Sequence, residues 1–364
     1  MRNIRISLAM IVFTLIAIGI VMIYSSTSIY AWERFKDSAY FLKRHLIFVS
    51  LGFLFSFFIM SFDYRVLAKH AKVLILASLF LLVLLHVPGI SREISGAKRW
   101  FSLFGFSFQP SEFANLAVII YVASFLSRKG VSRMERFSLG FLPAIIALGM
   151  VGILVLIQPD LGTVVALSMV VCIMLFVAGA KLRYLGYIIL AGIPFLYILI
   201  FNVPYRRQRI MAFLNPWADP LGSGFQLIQS QVALGSGGFF GRGLGKSIQK
   251  LSYLPAAHTD FIYSIIGEEL GFCAVVAVIV LFVLFFIYGC KIIKYTQDSF
   301  GAFLSLGIIS LIAIKAVINI GVSIGVFPTK GLPLPFISYG GSSLIIDMVS
   351  VALLLNVARF DQNP

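Results

Sequence analysis

Charge is what this chain has least of. Lys, Arg, Asp and Glu make up 12% of its 364 residues, with 14 acids against 29 bases and only four histidines. A soluble globular domain carries roughly 25% charged residues, so this scarcity excludes one. Cysteine is almost as rare. Cys172, Cys273 and Cys290 lie in or at the ends of apolar runs. They show neither disulfide nor metal-ligand spacing, which leaves them as small core hydrophobes. Heptads and repeats of 20–50 residues are missing, so coiled coils and solenoids are excluded. The short alternating segments of a transmembrane barrel are missing too. Gly241–Ser247 reads GRGLGKS, but it lacks the spacing and the preceding strand of a phosphate-binding loop. No nucleotide site and no nucleic-acid partner are expected.

What is there is oil: 60% of the residues are hydrophobic and the mean hydropathy is +1.01. A hydrocarbon core roughly 30 Å thick takes about 20 apolar residues per helix. The apolar runs predict an all-α integral membrane protein, one polytopic domain over 1–364 with about ten spans. These fall near 8–28, 46–61, 73–87, 113–126, 139–157, 162–179, 185–201, 262–288, 301–326 and 340–357. The basic, apolar N-terminus has no small-residue cleavage site and reads as a retained signal-anchor helix. An even count puts both termini on one side. With that side cytoplasmic, Lys and Arg tie at 14 inside and 14 outside, with Lys315 inside a span. Long loops are discounted in the positive-inside rule. Setting aside the six basic residues of loop 202–261 leaves 14 against 8 and supports cytoplasmic termini.

That loop is polar and aromatic where its surroundings are apolar. Arg206, Arg207, Arg209, Arg242, Lys246 and Lys250 share it with Asp219 and Asp260 alone. A basic cup of this kind suits an anionic ligand such as a phosphate-bearing lipid head group; contact with anionic lipids is the plainer alternative. Its glycines allow close approach of backbone N–H groups to a ligand. Gln226, Gln229 and Ser230 are spaced to share one polar face. Asp260, after His258 and Thr259, opens a helix. Dipole stabilisation explains an acid there, but a general base at a membrane-edge cavity is the competing role.

Three further segments fall on the same side. Lys98, Arg99 and Trp100 precede Gln109-Pro110-Ser111-Glu112, where Ser111 is a plausible N-cap and Glu112 a first-turn acid. Asp160 of Gln158-Pro159-Asp160 suits a tight turn with a capping acid. Prolines and glycines around Lys330, then Ser338 and Ser342, predict a re-entrant or rigid surface loop that lines a cavity. Inside the spans, Lys315 and Asn319 share one face, with Asp347 a conceivable partner. Such residues mark functional sites by default and give a transporter reading its basis.

At GAKRW, QPSE, QPD, NPWADPLGSGFQLIQS, HTDF, IGEELG and PTKGLPLPFISYGGSS the chain resembles the SEDS family of peptidoglycan polymerases over essentially its whole length. The wording is closer to the FtsW division branch than to RodA. The resemblance implies ten spans and polymerisation of lipid II, with release of undecaprenyl pyrophosphate, on the outer face of the bacterial inner membrane. It also implies a septal location, a class B penicillin-binding protein and other division-machinery membrane proteins as partners, and Asp260 as the essential aspartate. Glu112 and Asp160 would support it. Lys98, Arg99, Arg206, Arg209, Arg242 and Lys330 are candidates to stabilise the pyrophosphate, with Mg or Mn as the candidate divalent cation and no certain cofactor. Trp100, Gln109, Ser111, Gln226, Gln229, Ser230, His258, Thr259, Ser338 and Ser342 complete the candidate substrate set. Two positions depart from the family pattern. Asn115 stands where members usually carry a lysine, so Glu112 needs another partner, and Ala256 replaces a glutamate. A lipid II flippase and a division scaffold are the alternative readings.

Overall fold

The computed structural model describes residues 1–87, 91–94, 97–103, 106–128, 137–251 and 254–360. Lys129, Arg133 and Arg136 of the inner-side charge count, and Gly96, lie outside them; of Lys98 only its strand position is described. The apolar runs form α1 (Arg2–Phe35), α2 (Tyr40–Ser61), α3 (Arg65–Leu84), α4 (Pro110–Ser127), α5 (Leu142–Ile157), α6 (Leu161–Val177) and α7 (Leu182–Phe201). Two short helices follow, α8 (Pro204–Leu214) and α9 (Phe225–Ser236). Then come α10 (Ile262–Tyr295), α11 (Ser299–Ile324) and α12 (Gly341–Phe360).

Eight of these are long and apolar enough to cross a membrane, and α5 and α6 are shorter apolar helices. Together they match the ten expected runs, and the chain is a multi-pass membrane protein. The helices α1 and α10, 34 residues each, outrun the expected 8–28 and 262–288 because their polar end turns continue the helix. The bundle's centre is α4, α11 and α12, whose faces are largely buried.

Two expectations need correction. The fold is not purely α: β1 (Ser91–Ile94), β2 (Ala97–Leu103) and β3 (Phe106–Phe108) form an antiparallel sheet in the order β1-β2-β3, and GAKRW runs into β2. Short polar strands between spans carry no hydropathy signal, so they are invisible beside the helices. The cysteines are not all core residues either. Cys172 is half-buried, while Cys273 and Cys290 are exposed on α10, where lipid rather than protein is the apolar neighbour.

The long connection between α7 and α10 does not lie flat on the bundle. Ser230 of α9 meets Ser264 (Oγ to Oγ 2.6 Å) and donates to Ser323 O (2.7 Å). The chain then descends beside α10, where Arg242 N and Gly243 N donate to the carbonyls of Glu268 (3.0 Å) and Glu269 (2.9 Å), and Phe272 N donates to Gly238 O (2.9 Å). Irregular backbone at this depth is tolerated only when its polar groups are satisfied by protein. The two adjacent acids do this. Glu268 accepts from Ser247 Oγ (2.5 Å) and Ile248 N (2.9 Å); Glu269 accepts from Ser25 Oγ (2.5 Å) and Lys250 Nζ (2.8 Å). The helix breaks at Gly271 (φ 78°) to admit the loop, and a Cβ there would overlap Gly241 N. Only glycine serves at that junction.

The 325–340 connection folds back into the bundle, which selects the re-entrant form over the rigid surface loop that its prolines and glycines equally allow. Leu332, Leu334, Phe336 and Ile337 are buried, and a Cβ on Gly19, halfway along α1, would sit 2.7 Å from Phe336 O.

Candidate active site

Asp260 lies where these connections converge. It sits at the end of a turn closed by Ala256 O, which accepts from Thr259 N and Asp260 N (3.1 Å each). Ala256 itself is left-handed (φ 56°), as is Phe336 (φ 66°) on the facing loop. A non-glycine residue in that region costs about 1–2 kcal/mol, so the surroundings must hold it. They do so by cross-links: Ser338 Oγ donates to Thr259 O (2.6 Å), Tyr339 N to His258 O (2.9 Å), and Asn319 Nδ2 to Asp260 O (2.9 Å). Gly331 faces the carboxylate, and a Cβ there would be 3.5 Å from Asp260 Oδ2.

Burial pushes the half-buried Asp260 carboxyl up to about 6. The Arg209 guanidinium, the Thr259 hydrogen bond and Arg99 oppose that rise, while Asp160 adds to it by repulsion. Arg99 is aimed by β2: its Nε donates to Gln158 O (2.7 Å), its Nη2 to Pro159 O (2.6 Å), and its Nη1 is 3.9 Å from Asp160 Oδ2. Arg209, on α8, donates to Thr329 O (3.0 Å) and stacks 4.4 Å over the Tyr205 ring. Asp160 caps α6, accepting from Thr163 N (3.2 Å) and Oγ1 (2.9 Å). Burial lowers the Lys330 ammonium pKa, with Asp160 countering. The result is a desolvated carboxylate held among cations.

Two cavities border the loop that faces Asp260. One, of about 380 Å³, is lined by Tyr205, Gln208, Arg209, Gln226 and Thr329. The other, of about 420 Å³, is an apolar groove between α6, α10 and α11 that ends at Lys330. The consecutive residues Thr329 and Lys330 thus face different cavities beside Asp260.

The structure groups Asp260 with Arg99, Asp160, Arg209, Thr259 and Lys330, and places Gln226 in the adjoining cavity. Trp100 follows Arg99 along β2, in register with Arg92. Gln109, Ser111 and Ser342 form a neighbouring cluster: Gln109 N donates to Ser342 Oγ (3.1 Å) and its Nε2 to Ser111 Oγ (3.0 Å). Ser111 is not the N-cap. That position is Gln109, with Pro110 opening α4, because proline suits the first helical position.

Other expectations are corrected. Glu112 is buried 2.7 Å from Lys315 Nζ, which also meets Asp347 at 3.1 Å; Lys315 is the partner that Asn115 leaves open. The basic cup is largely spoken for. Arg242 pairs with Glu268 (3.6 Å), Lys250 is buried against Glu269 (2.8 Å), and Arg206 donates to Leu199 O (3.0 Å). Gln229 is half-buried on α9, while Ser230 is turned into helix packing, so the three-residue polar face does not form. His258 sits in an aromatic cluster with Tyr30, Phe41 and Tyr339, its nearest ring centroid 5.3 Å away. Burial lowers its pKa to about 4. The role of Glu268 and Glu269 went unread, although two adjacent acids in an apolar helix are a visible signal.

Eight spanning helices, two shorter apolar ones and two irregular loops that carry an aspartate and cations to one end of the bundle define a multi-pass membrane protein with a candidate active site. A family model described as "Cell cycle protein" (FtsW, RodA, SpoVE) matches residues 6–363, and the chain belongs to that family. It is 48% identical over 351 residues to a probable peptidoglycan glycosyltransferase FtsW of Trichlorobacter lovleyi, covering 96% of this chain and 92% of that protein. It is 43% identical to the stage V sporulation protein E of Bacillus subtilis (98% and 97% covered). A chain of a solved peptidoglycan synthase complex that coordinates polymerization and crosslinking superposes with a TM-score of 0.79 at 32% identity, 98% of each chain covered.

Proposed function

We propose that this chain is a peptidoglycan glycosyltransferase of the division type that polymerises lipid II in the bacterial inner membrane at the septum. The observation that carries the reading is Asp260, under the charges of Arg99 and Arg209 and facing Gly331, whose neighbours Thr329 and Lys330 line a cavity shared with Arg209 and an apolar groove. A lipid-linked sugar needs both environments at once. Asp260 takes the proton from the acceptor sugar's 4-hydroxyl as that oxygen attacks the anomeric carbon of the growing strand. The new glycosidic bond forms with inversion as the bond to undecaprenyl pyrophosphate breaks. Arg99, Arg209 and Lys330 stabilise the charge on the departing pyrophosphate.

A divalent cation such as Mg or Mn is normally held by one or two carboxylates plus substrate phosphates. Among the described residues no cluster of three His, Cys, Asp or Glu exists, but Asp160 with pyrophosphate oxygens fits that lesser requirement. Bound there, the ion would neutralise phosphate charge. The likeness to a synthase complex that couples polymerization to crosslinking supports a class B penicillin-binding protein as partner, with other division proteins around it. The flippase reading rests on Lys315, Asn319 and Asp347, but Lys315 donates to Asp347 and Asn319 to Leu332 O inside the bundle.

A base works ionised, and the Asp260 carboxyl is raised to about 6. Polymerisation by the chain with its partner should therefore fall roughly tenfold per pH unit below about 6 and flatten above it. Linkage runs the other way: the raised carboxyl favours the fold at low pH, and that contribution is lost as pH rises through about 6. Initial rates on labelled lipid II between pH 4.5 and 8 check this. A flat profile across that range would refute the assignment of Asp260 as base.

A further inference from the structure

The closest hold on Asp260 comes from a residue with no place in the chemistry. Asn319 is buried in α11, one turn from Lys315. Its Nδ2 donates to both Asp260 O and Leu332 O, at 2.9 Å each. Those carbonyls belong to the two segments that build the site: the turn carrying Thr259 and Asp260, and the re-entrant loop carrying Lys330 and Gly331. One amide therefore sets the separation between the base and the loop opposite it. Its Oδ1 accepts no hydrogen bond among the described residues, so the amide is retained for its donors.

The helix presenting Asn319 is itself pinned. Lys315 is locked between Glu112 (2.7 Å) on α4 and Asp347 (3.1 Å) on α12. A rigid support of this kind is what a site needs when a misplacement near 1 Å costs about 100-fold in rate. We infer that Asn319 is the positioning residue of the glycosyl-transfer site, fixing the Asp260 backbone against the Lys330 loop through its side-chain amide. The inference rests on Asp260 acting as the base. The competing role for Asn319 is to satisfy two buried loop carbonyls and nothing more.

The test uses the full chain with its penicillin-binding partner in detergent or nanodiscs, with rates measured against lipid II concentration. Asn319→Ala is expected to lower kcat about 10- to 100-fold with KM within threefold and little change in melting temperature. Asn319→Asp keeps the shape but turns the donor into an acceptor, and should fall at least as far. Asn356→Ala is the structural control, since it removes a buried amide's bonds to Ile59 O and Phe62 O without touching Asp260. It should lower the melting temperature and leave kcat within twofold. If Asn319→Ala does not accumulate in folded form, Asn319→Ser is measured in the same way. The inference is overturned if the Asn319 variants keep kcat within twofold, lose activity through KM alone, or lose it only in step with the control. A wild-type rate for Asp260→Asn would instead overturn the reading of the site itself, whatever Asn319 does.

Discussion

Replacing Asp260 by Asn is expected to lower lipid II polymerisation by about 10²- to 10⁴-fold, the usual contribution of a positioned general base. The substitution is nearly isosteric, so the turn closed by Ala256 O and the Asn319 bond to the residue 260 carbonyl should both survive. It also removes a negative charge that Arg209 and Arg99 act on. Pyrophosphate binding should hold or tighten, and the loss should fall on kcat rather than KM. Gel-resolved product from fluorescent lipid II, measured across substrate concentrations, separates the two parameters. A loss confined to KM would make Asp260 a binding group instead.

The second large effect is structural. Lys315→Met leaves Glu112 and Asp347 facing each other, both buried and without their cation. Removing one partner of a buried ion pair costs about 3–5 kcal/mol, because the remaining charge is stranded. The variant should melt well below the wild type in detergent. Glu112→Gln and Asp347→Asn added to Lys315→Met should recover most of that loss, since neutral groups of the same shape are far cheaper to bury. A Lys315→Met protein with the wild-type melting temperature would show that the triad is not holding α4, α11 and α12 together.

Most of this architecture was legible because hydropathy reports helices directly. The ten runs and the two irregular loops follow from where apolar stretches start, stop and fill with glycine and proline. What stayed hidden was pairing. The six basic residues of the long loop look alike in sequence, yet Arg209 is the one whose charge acts on Asp260, while Glu268 and Glu269 take up Arg242 and Lys250. Glu112 reads as a first-turn acid with its partner left open, and only the fold shows that partner to be Lys315. The sheet that aims Arg99 is too short and polar to register. Basic neighbours and a helix N-terminus would by themselves lower the Asp260 pKa, and only the geometry shows whether burial overturns them. Burial wins, which suits a base.

The central claim is glycosyl transfer at one face of the membrane, and it is met most directly by substrate supplied to one leaflet. Lipid II is added from outside to preformed proteoliposomes that hold the chain with its partner, oriented so that the Asp260 end faces outward. Glycan strands should form at once, with no lipid II reaching the lumen, and Asp260→Asn vesicles should form none. Translocation of lipid II into the lumen without any strand synthesis would contradict the account.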